Sequence, residues 1–106
     1  MFARFLEITV KAEKKQEFVH TIRLEVLPIL KKYTGFFDII PLEVEAEPNK
    51  FFFVSLWTDK LDAQRYEKEY FMKVKQILEP FLVYPPVVKF CKVDTTLIEK
   101  FLTVAA

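Results

Sequence analysis

Phe51-Phe52-Phe53-Val54-Ser55-Leu56-Trp57 is the stretch on which the fold turns. It carries no charge and is rich in aromatic and β-branched side chains, which predicts a strand. Alternation sets Phe51, Phe53, Ser55 and Trp57 on one face and Phe52, Val54 and Leu56 on the other. Both faces are largely apolar, whereas a strand with one wet face would alternate apolar with polar. The sheet it belongs to must therefore be covered on both sides.

Working outward, Phe36 to Glu45 reads as a second strand, joined through Glu47-Pro48-Asn49-Lys50, where Pro48 suits the second position of a tight turn. The two runs predict an antiparallel hairpin. At the amino end, Phe2 to Lys11 alternates, with Leu6, Ile8 and Val10 opposite Phe5, Glu7 and Thr9. Between these strands, Phe18, Ile22, Val26, Ile29 and Tyr33 line one face of a helix over 14–33. Pro28 predicts a kink in that helix, and Gly35, the single glycine, a left-handed cap after it.

Downstream, Asp59 offers a helix N-cap, followed by the stripe Tyr66, Tyr70, Val74, Ile77 and Phe81, with a break expected at Tyr70-Phe71. Val87 to Val93 reads as the last strand, in which Cys91 is expected to be a buried, inert thiol. The order β-α-β-β-α-β predicts an α+β, ferredoxin-like domain, an antiparallel sheet with helices on one face.

A length of 106 residues allows one domain, read as a core over 2–94 and an apolar tail over 95–106 that packs on a partner subunit. Helices cover only one sheet face, and each large side chain left wet on the other forgoes roughly 1.5–3 kcal/mol. Twelve Phe, four Tyr and one Trp exceed what one small core absorbs. A homodimer with stacked sheets is the expected solution.

Charge nearly cancels, 16 Lys+Arg against 15 Asp+Glu, which argues against a nucleic-acid partner. Lys50 followed by three Phe superficially suggests an RNA-recognition strand, but the small spacer residues and basic surround are missing. One cysteine rules out an intramolecular disulfide and a Cys-based zinc site, and in a chain with one glycine and one histidine no Ser-His-Asp set, carboxylate metal cluster or glycine-rich phosphate loop is found, so no metal or cofactor is expected. No apolar run reaches a membrane-spanning length and no leader is evident; the expected location is cytoplasmic, without membrane partners.

Three segments, Lys11-Ala12-Glu13-Lys14-Lys15-Gln16-Glu17-Phe18, Gly35-Phe36 and Ser55-Leu56-Trp57-Thr58-Asp59, resemble the antibiotic biosynthesis monooxygenase domain family over about residues 2–94. The resemblance implies a dimeric α+β barrel. It also implies either cofactor-free oxygenation of quinol-like aromatics or haem degradation. Cofactor-free members pair the strand-end Trp with an Asn four residues earlier; here Trp57 matches, but Phe53 stands at the Asn position. Haem-degrading members carry an axial His on the second helical segment, and Tyr70 to Gln76 has none.

The function expected is a cofactor-independent monooxygenase or a binder of small aromatic ligands, with Trp57, Tyr66 and Tyr70 lining an apolar pocket. Each of these residues also has a plain reading as core. Tyr66 and Tyr70 lie four apart on one helical face. His20 is either a solvated surface residue or a proton-transfer group. Glu7 shares its face with Phe5 and Thr9, the side assigned to the barrel interior, where a carboxylate needs a partner or water. A non-catalytic dimeric scaffold is the alternative, since Phe53 removes the polar group expected beside Trp57.

Overall fold

The computed structural model describes residues 1–94; the tail over 95–106, with its expected packing on a partner, lies outside the described residues. The strands are β1 (Phe2–Thr9), β2 (Phe36–Glu43), β3 (Lys50–Trp57) and β4 (Val87–Lys92). They form one sheet in the order β2-β3-β1-β4, antiparallel throughout, which is the ferredoxin-like arrangement. Between β1 and β3, Leu6 faces Phe53 and Ile8 faces Phe51, so the two central strands put these four residues on one face. The helices α1 (Lys15–Thr21), α2 (Leu27–Lys31), α3 (Lys60–Glu69) and α4 (Phe71–Leu78) cover it. Phe18, only 1% exposed, is in ring contact with Phe51, Phe53 and Phe81 in that layer.

The first helical segment departs from a simple kinked helix. A π-turn, Ile22–Val26, links α1 to α2, and the Leu27 amide donates to the Ile22 carbonyl five residues back. Pro28 has no amide to donate to Leu24, and the wider turn absorbs that missing bond. The added width also shifts the buried stripe. Phe18, Val26 and Leu30 are buried, whereas Ile29, expected inside, is only half-buried. At Tyr70 the backbone leaves the helix with φ −125°. That reset places Phe71, Val74 and Leu78 in the core instead of Tyr70 and Ile77, which stay partly exposed.

Other local expectations are met. The Lys50 amide donates to the Glu47 carbonyl at 2.9 Å, closing the hairpin turn. Asp59 accepts from the Asp62 amide at 3.1 Å as the cap of α3. Gly35 adopts the expected left-handed conformation, φ 84°, but in the Tyr33–Phe36 turn and not as the cap of α2, which is Lys32; its carbonyl accepts from the Thr58 amide at 2.9 Å. A Cβ there would lie 2.2 Å from Asp62 Oδ2, so both conformation and space require glycine. Gly35→Ala is expected to cost about 1–3 kcal/mol in urea unfolding; a loss within error would show that the turn relaxes freely.

The second sheet face is open in the single chain. Cross-strand partners place Ala3, Phe5 and Glu7 of β1 beside Leu56, Val54 and Phe52 of β3, with Ile40 and Leu42 of β2 and Val87 of β4 extending the patch. Phe5 and Phe52 pack at 5.0 Å between ring centroids, while Ile40, Leu42 and Val87 remain 45–46% exposed. Cys91 lies on this face opposite Ala3 and is exposed, contrary to the expected buried thiol. Its strand is at the sheet edge, and no helix of the described residues covers that side.

Candidate functional site

The end of β3 carries Trp57, which is wholly inaccessible to solvent. Its indole Nε1 donates to Ser55 Oγ at 3.0 Å, and Ser55 Oγ donates to the Arg4 carbonyl at 3.3 Å. Tyr66 of α3 lies on Trp57 at 5.3 Å between ring centroids. Tyr33, just beyond α2, meets Trp57, Tyr66 and Tyr70 edge-on at 6.3, 5.5 and 5.5 Å. The structure thus gathers Trp57, Tyr66 and Tyr70 into one aromatic group, with Tyr33 as the hub. The sequence reading placed Tyr33 only on a helical face.

These rings do not line one pocket. Tyr33 and Tyr70 wall a surface cleft of about 490 Å³, together with Pro28, Ile29, Lys32, Thr34, Arg65 and Glu69. Tyr66 instead borders an interior cavity of about 30 Å³ between sheet and helices, with Phe53 and Leu30 among its walls. That interior space is of the order of one water, far short of an aromatic ring. Trp57 borders neither. His20 is exposed on α1 and also lines neither, and Glu7 lies half-buried on the open sheet face, the opposite side from Trp57 and Tyr66.

Arg4 is the polar residue that sequence reasoning passed over. It is 3% exposed, and its guanidinium sits 3.9 Å from the Phe71 ring centroid and 5.2 Å from that of Tyr66. Its Nε donates to Glu67 Oε2 at 2.6 Å. One terminal nitrogen is equally close to that oxygen but makes no hydrogen bond. A buried cation persists because Glu67 and two ring faces offset its desolvation. The signal was present: Arg4 is in phase with Leu6, Ile8 and Val10, the inward face of β1.

At the cleft, the Tyr33 hydroxyl donates to Glu69 Oε2. Loss of solvent, and then this bond, push the Tyr33 phenol up to about 12. Burial raises Tyr66 to about 12 as well, with Arg4 pulling against it. A raised phenol favours the neutral, folded form. Its contribution is whole below the unfolded value near 10 and is lost as pH climbs through 12. Denaturant unfolding at stepped pH is therefore expected to show stability falling between pH 10 and 12, with Tyr66→Phe flattening that fall. An identical slope in the variant would contradict the assignment.

Among the described residues, no cluster of three His, Cys, Asp or Glu could hold a metal, and no helix is long and apolar enough to cross a membrane. The profile of the family described as antibiotic biosynthesis monooxygenase matches residues 1–73. Solved structures share the fold. A Nitrosomonas europaea protein carrying that family description has TM-score 0.74 at 15% identity, covering 89% of this chain and 99% of its own. A conserved protein of Methanosarcina mazei gives 0.72 at 19%, covering 87% and 92%. A monooxygenase of Streptomyces coelicolor, solved with nanaomycin D, gives 0.72 at 13%, covering 87% and 86%. The search of curated proteins found no match. With that profile spanning more than half its length, the chain belongs to the antibiotic biosynthesis monooxygenase family.

Proposed function

We propose that this family member takes a small aromatic, quinol-like ligand and acts on it as a cofactor-independent monooxygenase, working as a homodimer that buries the open sheet faces. The observation that carries the reading is the cleft of about 490 Å³ walled by Tyr33 and Tyr70. Its size suits a small ligand, and its two ring walls suit an aromatic one. Glu69 supplies a carboxylate at the rim and Arg65 a cation. Glu69 is the base at hand to take a phenolic proton, which makes the ligand electron-rich enough to meet dioxygen. One oxygen atom then enters the ligand and the other leaves as water, its two hydrogens and two electrons given up by the ligand itself as the quinol becomes a hydroxyquinone. Trp57 and Tyr66 stand behind the cleft and hold Tyr33 in place.

The test is oxygen uptake across a quinol and polyphenol panel, read beside thermal shift. Uptake above background that is lost in Tyr70→Ala supports the reading. Binding without uptake reduces it to a ligand-binding protein, and neither signal removes it. A second reading, a non-catalytic dimeric scaffold, is favoured by one observation: Phe53 stands against an interior cavity of about 30 Å³, leaving no room for a ligand between the sheet and the helices there. That reading expects a dimer with no ligand response.

A further inference from the structure

Redox-active side chains are unevenly placed in this protein. It has one Trp and four Tyr. Trp57, Tyr66, Tyr33 and Tyr70 form one continuous group with ring centroids 5.3–6.3 Å apart. The remaining tyrosine, Tyr84, is 64% exposed on the separate segment before β4. Elsewhere the core is packed by phenylalanine, as around Phe18. Packing alone is thus served by Phe, and hydroxyl-bearing rings are concentrated along one line from a sealed indole to a surface cleft. The line has a direction. Trp57 is fully buried, whereas Tyr33 and Tyr70 wall the cleft. It also has a proton acceptor where one is needed, since the Tyr33 hydroxyl already donates to Glu69.

We propose that Trp57 and Tyr33 form a redox relay that exports an oxidising equivalent from the protein interior to the cleft, with Glu69 taking the proton released at Tyr33. An alkoxyl radical near the indole takes one electron from Trp57 and becomes an alkoxide. The indolyl radical cation keeps its Nε1 proton, held toward Ser55 Oγ. It then takes one electron from Tyr33 and returns to tryptophan. The phenolic O–H breaks, its proton passes to Glu69 Oε2, and a neutral phenoxyl remains at the cleft. Hydrogen-atom transfer from a soluble thiol restores the phenol, leaving a thiyl radical, and Glu69 releases its proton to water. Tyr66, in contact with both rings, is a side branch, because among the described residues no carboxylate accepts from its hydroxyl as Glu69 does for Tyr33. The relay protects the core and does not depend on what the cleft binds.

Photo-ionisation of Trp57 in the full chain tests this without any ligand. A near-ultraviolet pulse with a cobalt(III) ammine as irreversible electron scavenger generates the indolyl radical, followed by transient absorption and electron paramagnetic resonance. The expected result is decay of the indolyl signal into a tyrosyl signal. Tyr33→Phe leaves the indolyl radical standing, Tyr66→Phe and Tyr84→Phe preserve the transfer, and Glu69→Gln slows it by roughly 100-fold, the low end for a positioned base. All four substitutions are conservative, and circular dichroism confirms the fold of each. A tyrosyl signal that survives in Tyr33→Phe, or an indolyl radical that persists in the unmodified protein, overturns the relay. A Tyr33 that serves only as packing would leave the identity of the radical unchanged.

Discussion

Trp57→Ala lowers stability by about 3–5 kcal/mol, the usual cost of emptying a large buried aromatic site. For a chain near this length that corresponds to a fall in Tm of at least roughly 12 °C. The size follows from position. Trp57 is sealed from solvent and packs on Phe36, Tyr33 and Tyr66, so no neighbour is free to collapse into the space. Its loss also strips Ser55 Oγ of the indole N–H it accepts. Trp57→Phe keeps part of the packing and is expected to lose distinctly less. Differential scanning calorimetry on both variants checks the ordering. A Trp57→Ala protein within about 1 kcal/mol of the parent would mean that the aromatic group is looser than its ring geometry implies.

Val54→Arg is expected to split the proposed homodimer. Val54 sits on the open face between Phe5 of β1 and Ile40 of β2, near the middle of the apolar patch. In a twofold assembly the substitution brings two unpaired cations to one buried region. Such like-charge juxtaposition costs several kcal/mol. At about 4 kcal/mol the dissociation constant rises roughly a thousand-fold. Light scattering at micromolar concentration is expected to give twice 12.6 kDa for the parent and 12.6 kDa for the variant. A parent that is already monomeric contradicts the assembly outright.

Much of this architecture was legible because it follows from short periods. The alternation in Phe51 to Trp57 and in Leu6, Ile8 and Val10 sorts these side chains onto two faces without any tertiary information, although both faces of β3 are apolar and only the fold shows which one the helices cover. Gly35 was legible as a left-handed residue and Asp59 as an N-cap, since backbone conformation and N-cap chemistry are local. What escaped was phase. The π-turn before Pro28 and the break at Tyr70 each displace the helical stripe by one residue, exchanging Ile29 for Leu30 and Tyr70 for Phe71. That displacement depends on how the helix meets the sheet, which no periodicity encodes.

The site was legible in part for the same reason. Trp57 and Tyr66 do touch, but Tyr70 reaches Trp57 through Tyr33, a contact made only once the chain has folded. The separation of the surface cleft from the interior cavity is a matter of side-chain volume in three dimensions. Arg4 was visible as a charge on an inward face, yet its meaning needed Glu67, which lies 63 residues away in sequence. Cys91 looked buried from its neighbours, but it sits on the open face of an edge strand, where local hydrophobicity says nothing about cover.

The central claim is that the cleft beside Tyr33 and Tyr70 receives an aromatic ligand. Amide chemical-shift mapping during titration with a methylated hydroquinone, under nitrogen to prevent turnover, locates the ligand directly. The account predicts saturable shifts concentrated at Tyr33, Thr34, Glu69 and Tyr70, removed by Tyr70→Ala. Shifts centred instead on Leu6, Val26 and Phe53 around the interior cavity, or no saturable shift at all, would contradict it.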